Sequence, residues 1–327
     1  MYDNFEVTEN TFIPLDCLNS PCLASLSPTS IMLLFLTNDF FTPENLFLLI
    51  SFFALGTVIG SFLNVVIHRL PLAESIVFPN SHCPNCNSAI HFYDNVPVIS
   101  WLILGGRCRS CRAPISYRYP LVELLTGVVY AVFFWHSGLT YLLPFNILFG
   151  TAMIVLIFID AAHFYLPNAI NYPGLVIALI ARLLFPLALL SAPFDDLAHY
   201  PLNGMINLPL WATSLLGALM GGLAGGGFLW LVGWLWKQLR GIEAMGLGDV
   251  KMMLMVGAFL GWRLTLLSIF LAALVGAFTG VTQIVMYQER DFNSKIPFGI
   301  FLGLGSIISL LSGAAMIDWY LKTFITN

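Results

Sequence analysis

The chain has 327 residues, of which 58% are hydrophobic and only 9% charged, and its mean hydropathy is +0.86. Soluble domains carry roughly 25% charged residues, so this composition excludes a soluble globular protein and indicates an integral membrane one. The net charge of −4 points to no nucleic-acid partner, and the placement of the charges is more informative than their sum.

Residues 1–43 contain no Lys or Arg, the first being Arg69, so the basic start of a secretory signal is missing. The segment carries Asp3, Glu6, Glu9, Asp16 and Asp39, is broken by prolines, and holds an apolar patch at Ile31 to Leu36. It reads as a non-cytoplasmic, partly disordered extension with an interfacial segment and no catalytic role. Cys17 and Cys22 within it are open to pairing or to serving as small apolar residues.

A first span is expected over 44–67, followed by a polar loop over 68–120. Further apolar runs cover about 121–136, 139–159, 169–190, 209–236, 249–262, 264–287 and 297–320. Each spanning helix needs about 20 apolar residues, and these runs far exceed the ~10-residue alternating strands of a barrel. The expected fold is therefore an all-α polytopic membrane protein of about eight transmembrane helices. The run at 249–262 is short enough to be tilted or partly re-entrant.

Orientation follows from the basic residues, which concentrate on the cytoplasmic side. With the N-terminus outside, the inner loops hold Arg69, Arg107, Arg109, Arg112, Arg118, Lys237, Arg240, Lys251, Arg290 and Lys295, and the outer side keeps Arg182, Arg263 and Lys322. The loop at 191–208, with Asp195 and Asp196 and no basic residue, falls outside.

Two acids then share one depth. Asp249 lies in Gly246-Leu247-Gly248-Asp249-Val250-Lys251, just before the apolar run Met252 to Leu260, and Asp160 closes the run Met153 to Ile159. A carboxylate at the edge of hydrocarbon is costly and is a functional hypothesis by default. Two that converge in a partly dehydrated place share one proton, so the ionised member can activate water while the protonated one polarises a carbonyl. The bland alternative is that each merely caps a helix; the glycine-bracketed turn and the matching depth weigh against it. His163 and Lys251 are weaker candidates. Trp230, Trp234 and Trp236 fit an interfacial belt, and Gly221, Gly222, Gly225, Gly226 and Gly227 suggest close helix contact or a hinge.

The polar loop carries Cys83-Pro84-Asn85-Cys86 and Cys108-Arg109-Ser110-Cys111. Thiolates at these offsets close a tetrahedral site, and four of them leave no open position, so the expectation is a structural zinc in a cytoplasmic loop. A redox role for either pair is the competing reading.

Taken together, the chain resembles the bacterial type IV prepilin peptidases over roughly residues 46 to 320. The likeness rests on Gly60-Ser61-Phe62-Leu63-Asn64, His68-Arg69-Leu70-Pro71 and both cysteine pairs. It rests also on Asn95-Val96-Pro97-Val98-Ile99-Ser100-Trp101, Ile115 to Glu123, the Asp160 segment, the Asp249 segment and Pro297-Phe298-Gly299. The resemblance implies a Gly-x-Gly-Asp aspartic endopeptidase in the bacterial inner membrane. Its substrates would be prepilin and pseudopilin precursors, whose new N-terminus, usually Phe, is then methylated from S-adenosylmethionine. On this basis Asp160 and Asp249 are catalytic, and Cys83, Cys86, Cys108 and Cys111 bind zinc. The loop at 68–120 is then associated with methyl transfer, and 121–322 form the peptidase domain. Two departures stand out: Leu166-Pro167-Asn168 where the family usually ends in Asp, and Ile300 where it often has Pro. No residue is assigned to the methyl donor. A transporter or proton-coupled channel using the same carboxylates is the alternative from another class, although no internal repeat supports it.

Overall fold

The computed structural model describes residues 42–185, 209–241, 245–287 and 297–325. The expected extension up to residue 41, with Cys17 and Cys22, and the outer loop with Asp195 and Asp196 lie outside the described residues, as do Arg290 and Lys295. The chain divides between Leu48 and Leu49, and the helix bundle below belongs to the second unit.

Ten α-helices follow one another among the described residues: α1 (Pro43–Arg69), α2 (Ile99–Ile103), α3 (Arg118–Ser137), α4 (Leu143–His163), α5 (Asn168–Leu184), α6 (Leu210–Gly222), α7 (Phe228–Arg240), α8 (Leu247–Leu260), α9 (Trp262–Tyr287) and α10 (Phe298–Phe324). Helices α6 and α7 join through a π-helical turn, Leu223–Gly227, into one rod. There are no strands among the described residues, only two isolated bridges in the polar loop.

Among the described residues, six helical stretches are long and apolar enough to cross a bilayer: Pro43–Leu72, Arg118–Ser137, Leu143–His163, Leu210–Arg240, Trp262–Gln283 and Phe298–Phe324. The expected count of eight is not confirmed among the described residues. Helix α5 has 17 residues and α8 has 14, about 26 and 21 Å long against a hydrocarbon core of about 30 Å.

Helix α8 can be short because it is enclosed by protein. Met252, Met253, Met255, Val256, Ala258 and Leu260 are all buried, so the helix is covered around most of its circumference. Helices α5, α6, α9 and α10 and the π-turn pack around it. The glycines of the α6 rod make that possible: Gly221 and Gly257 face each other so closely that a Cβ on either would enter the other's backbone. The glycine cluster is thus a backbone-to-backbone seam.

On the other side of the bundle, α1 packs on α3 through Gly56 and Gly60, whose Cβ positions would lie 2.7 Å from Thr126 O and Glu123 Cα. Each helix ends where its sequence stops it. Pro71 follows α1, Gly138 closes α3 at φ +60, and Phe164 ends α4 in the left-handed region at φ +52.

Candidate active site and four-cysteine loop

Asp160 sits in the last turn of α4 and is 5% exposed. The chain leaves that helix at Phe164, passes Leu166 and Pro167, and starts α5 at Asn168. Asp249 sits in the first turn of α8, where its carboxylate accepts a hydrogen bond from the Gly246 amide. The two acids, 89 residues apart, line one cavity of about 270 Å³ and are close enough for direct charge repulsion. Leu166 is wedged between the two glycine turns: Cβ atoms on Gly248 and Gly299 would lie 3.0 and 3.2 Å from its side chain. At Gly299 a Cβ would also meet Asp160 Oδ2 at 2.7 Å, so a larger residue there could not approach the acid this closely.

Lys251 also lines the cavity, donating to Asn168 Oδ1 at 3.0 Å and lying over the Tyr172 ring. His163 is exposed and is not part of the cavity wall. In sequence Gly299 stands out only as part of Pro297-Phe298-Gly299, yet a Cβ on it would lie 2.7 Å from Asp160 Oδ2. The only advance signal was a glycine directly after Pro-Phe, at a helix start.

The four paired cysteines come together: their sulfurs all lie within 4.8 Å of one another, and Cys83 Sγ is 3.8 Å from Cys111 Sγ. Four thiolates on a tetrahedral zinc, with bonds of about 2.3 Å, stand about 3.8 Å apart, so the donor set fits the ion. The two pairs sit on equivalent knuckles. In the first, the Cys83 amide donates to Ser88 O and the Asn87 amide to Cys83 O; in the second, Cys108 donates to Ala113 O and Arg112 to Cys108 O. Asn87 and Arg112 each take a left-handed turn, at φ +54 and +61, which swings the chain back past its sulfurs. The Ser88 hydroxyl holds the Cys86 thiol below its ordinary range; the Cys111 amide does so for Cys108 and the Asn85 side chain for Cys111. All three contacts favour the thiolate, the ligating form.

Motif residues with no evident chemistry prove to anchor this loop. Arg69 donates to Ser75 O and Pro79 O at 2.9 and 2.7 Å, Asn64 to Tyr119 O, and Trp101 to Ile115 O. Buried Glu123 of α3 accepts the Val98 amide at 2.8 Å and so fixes the start of α2. Arg109 forms a bidentate pair with Asp94 at the loop surface.

Comparison with known proteins finds relatives over most of the chain. The family model for the type IV leader peptidase family matches residues 147–281, and that for the bacterial peptidase A24 N-terminal domain matches residues 54–137. A prepilin leader peptidase/N-methyltransferase of Pseudomonas aeruginosa is 34% identical over 307 residues, covering 87% of this chain and 97% of its own. The chain belongs to the type IV leader peptidase family. A protein of the same name from Aeromonas hydrophila is 36% identical, covering 84% of this chain and 93% of its own. One from Stutzerimonas stutzeri is 33% identical, covering 87% and 97%. No solved structure matches the chain.

Proposed function

We propose that this protein cleaves the leader from prepilin-like precursors with Asp160 and Asp249 and methylates the amino group so exposed. The observation that carries the first half is the shared cavity of about 270 Å³, whose wall holds two acids from the ends of α4 and α8. One carboxylate takes a proton from water, the hydroxide attacks the scissile carbonyl, and the protonated partner donates its hydrogen bond to the developing oxyanion. Collapse of the tetrahedral intermediate passes a proton to the leaving amine and returns the pair to its singly protonated state. Leu166 lines the same cavity and packs against Gly248 and Gly299 beside the acids.

The placement of basic residues supports a cytoplasmic mouth for this cavity. A precursor whose basic leader stays inside and whose hydrophobic stem lies in the bilayer would present its cut site at that depth.

In this reading the chain is divided into a non-cytoplasmic extension (1–43), a first span (44–67), the loop (68–120) and the peptidase bundle (121–322). Cys83, Cys86, Cys108 and Cys111 hold a structural zinc, which would supply the folding energy of a loop with few bulky apolar residues. The second activity is carried by the relatives' shared name and by this loop. S-adenosylmethionine, when bound, supplies the methyl group. The apolar groove at Leu49, Phe53 and Trp135 offers no polar atom to hold an adenosine or a sulfonium, so it is not assigned to the donor.

The test is incubation of purified protein with a prepilin precursor, with and without S-adenosylmethionine, read by mass spectrometry of the new N-terminus. Cleavage alone without the donor, and a gain of one methyl with it, is the expected result. An uncut precursor under both conditions would refute the reading. Cleavage without any methyl gain would refute its second half.

A further inference from the structure

The cavity that holds the two acids has a third charged group on its wall, and the cleavage steps above give it no task. Lys251 follows Asp249 closely on α8, is partly buried, and lines the cavity together with Asn168, the first residue of α5. Its ammonium has three hydrogens to donate. One goes to Asn168 Oδ1 at 3.0 Å, and Nζ lies 5.6 Å from the centre of the Tyr172 ring, one turn further along α5. Among the described residues its polar and ring contacts end there, and no carboxylate is one of them.

The nature of the tether matters. A carboxylate at position 168, where the family usually has Asp, would cancel the ammonium in an ion pair; this chain has Asn. An amide oxygen orients the lysine and leaves its charge in place. Because lysine only donates, the Asn168 side chain presents its oxygen to Nζ, and its NH2 group stays a further donor on the same wall. Two uses are open to such a cation: to steady the charge of the acid pair, or to receive an anion that enters the cavity. The first would seat Nζ on Asp160 or Asp249. The contacts hold it on the α5 side instead, against Asn168 and Tyr172.

We propose that Lys251, oriented by Asn168, is a specificity residue of this cavity. It receives the carboxylate of an acidic side chain that the precursor carries close to the scissile bond, so an acidic residue there is preferred to its neutral counterpart. A basic residue at the same point is disfavoured by like charge. The inference rests on the reading of the cavity as the place of cleavage, and adds to it which residues beside the cut the cavity selects.

The experiment uses the full-length protein in detergent and precursors that differ at one residue, Glu against Gln, placed at successive positions on either side of the cut. The readout is the ratio of kcat/KM within each Glu and Gln pair, so a variant's general loss of activity divides out. The parent is expected to favour Glu about fivefold at one position or at two adjacent ones, mainly through KM, with the preference fading as salt is raised. Lys251→Arg keeps the charge and should keep the preference. Lys251→Met should bring the ratio to about one, and so should Asn168→Asp, which retains the tether but cancels the cation. Should Lys251→Met prove too slow to measure, Asn168→Asp decides. No preference at any position in the parent would overturn the inference, as would a preference that persists in Lys251→Met or, with that variant unmeasurable, in Asn168→Asp. An Asp160→Asn variant that still cleaves would remove the catalytic reading, and the inference with it. Asp160→Asn inactive, with no preference in the parent, removes the inference alone.

Discussion

The polar loop and the acid cavity bring distant groups together by opposite means. In the loop, each cysteine pair is organised by backbone hydrogen bonds within seven residues, and one knuckle repeats the other. At the cavity, Asp160 and Asp249 are positioned by whole helices, through Leu166 and the glycine seam along α8. Local geometry can be completed by an ion that arrives late, whereas packed geometry must be right before any ligand comes. The two regions should therefore fail differently, and separately.

The largest effect belongs to the acids. Asp160→Asn and Asp249→Asn each remove a proton-carrying group but keep shape, and each should lower precursor cleavage by about a thousandfold or more. Protein level and melting should stay at the parent's values. Because the two acids act as one unit, the double variant should lose little beyond either single one. Additive losses, measured by single-turnover cleavage, would mean that the residues act independently.

Next comes the loop. Cys83→Ser with Cys108→Ser takes one ligand from each knuckle, and should release zinc and abolish methylation while leaving most of the cleavage rate. The zinc content is read by mass spectrometry of the metal, and both activities on one precursor. Equal loss of cleavage would show that the loop shapes the acid cavity, and would erase the separation drawn here.

The difference between the regions also governs what could be read in advance. Cys-x-x-Cys pairs declare themselves because their ligands are near in sequence, and the apolar runs declare six spans because length and hydropathy suffice. The eight expected spans are not all confirmed: α8 is short because a helix enclosed by protein need not match the bilayer, and hydropathy does not distinguish lipid from a packed neighbour, while α5 is described only as far as Leu184. Asp160 and Asp249 were legible as costly carboxylates, each from its own surroundings. Their partners were not: nothing in the order of residues shows that Leu166 is clasped by Gly248 and Gly299, or that Glu123 would hold Val98. Those contacts cross between elements, and only the packing reveals them.

A smaller effect tests the seam. Gly257→Ala places a methyl in the Gly221 backbone, and overpacking of this kind costs roughly 1–3 kcal/mol when neighbours can yield. Backbone cannot yield as a side chain does, so the upper end is expected. Helix α8 should shift and carry Asp249 with it. Cleavage should fall and melting drop, while the zinc content stays at the parent's level. Loss of zinc in this variant would tie the two regions together.

The smallest effect lies at the loop surface. Arg109 beside Asp94 holds that carboxyl below the usual carboxylate range. A depressed folded value means that the pair's contribution is present above the unfolded value of about 3.9 and is lost as pH falls through the folded one. The knuckle thiolates, whose ordinary value is far higher, take up protons and release metal well before that point. Asp94→Asn should therefore shift zinc affinity by no more than a few-fold, and by the same factor across pH 5.5 to 8, with the difference fading at high salt. Chelator competition across that range gives the answer. A gap between the two proteins that widens with acid would mean that Asp94 titrates there, and that the loop's stability depends on an ion pair rather than on the knuckles.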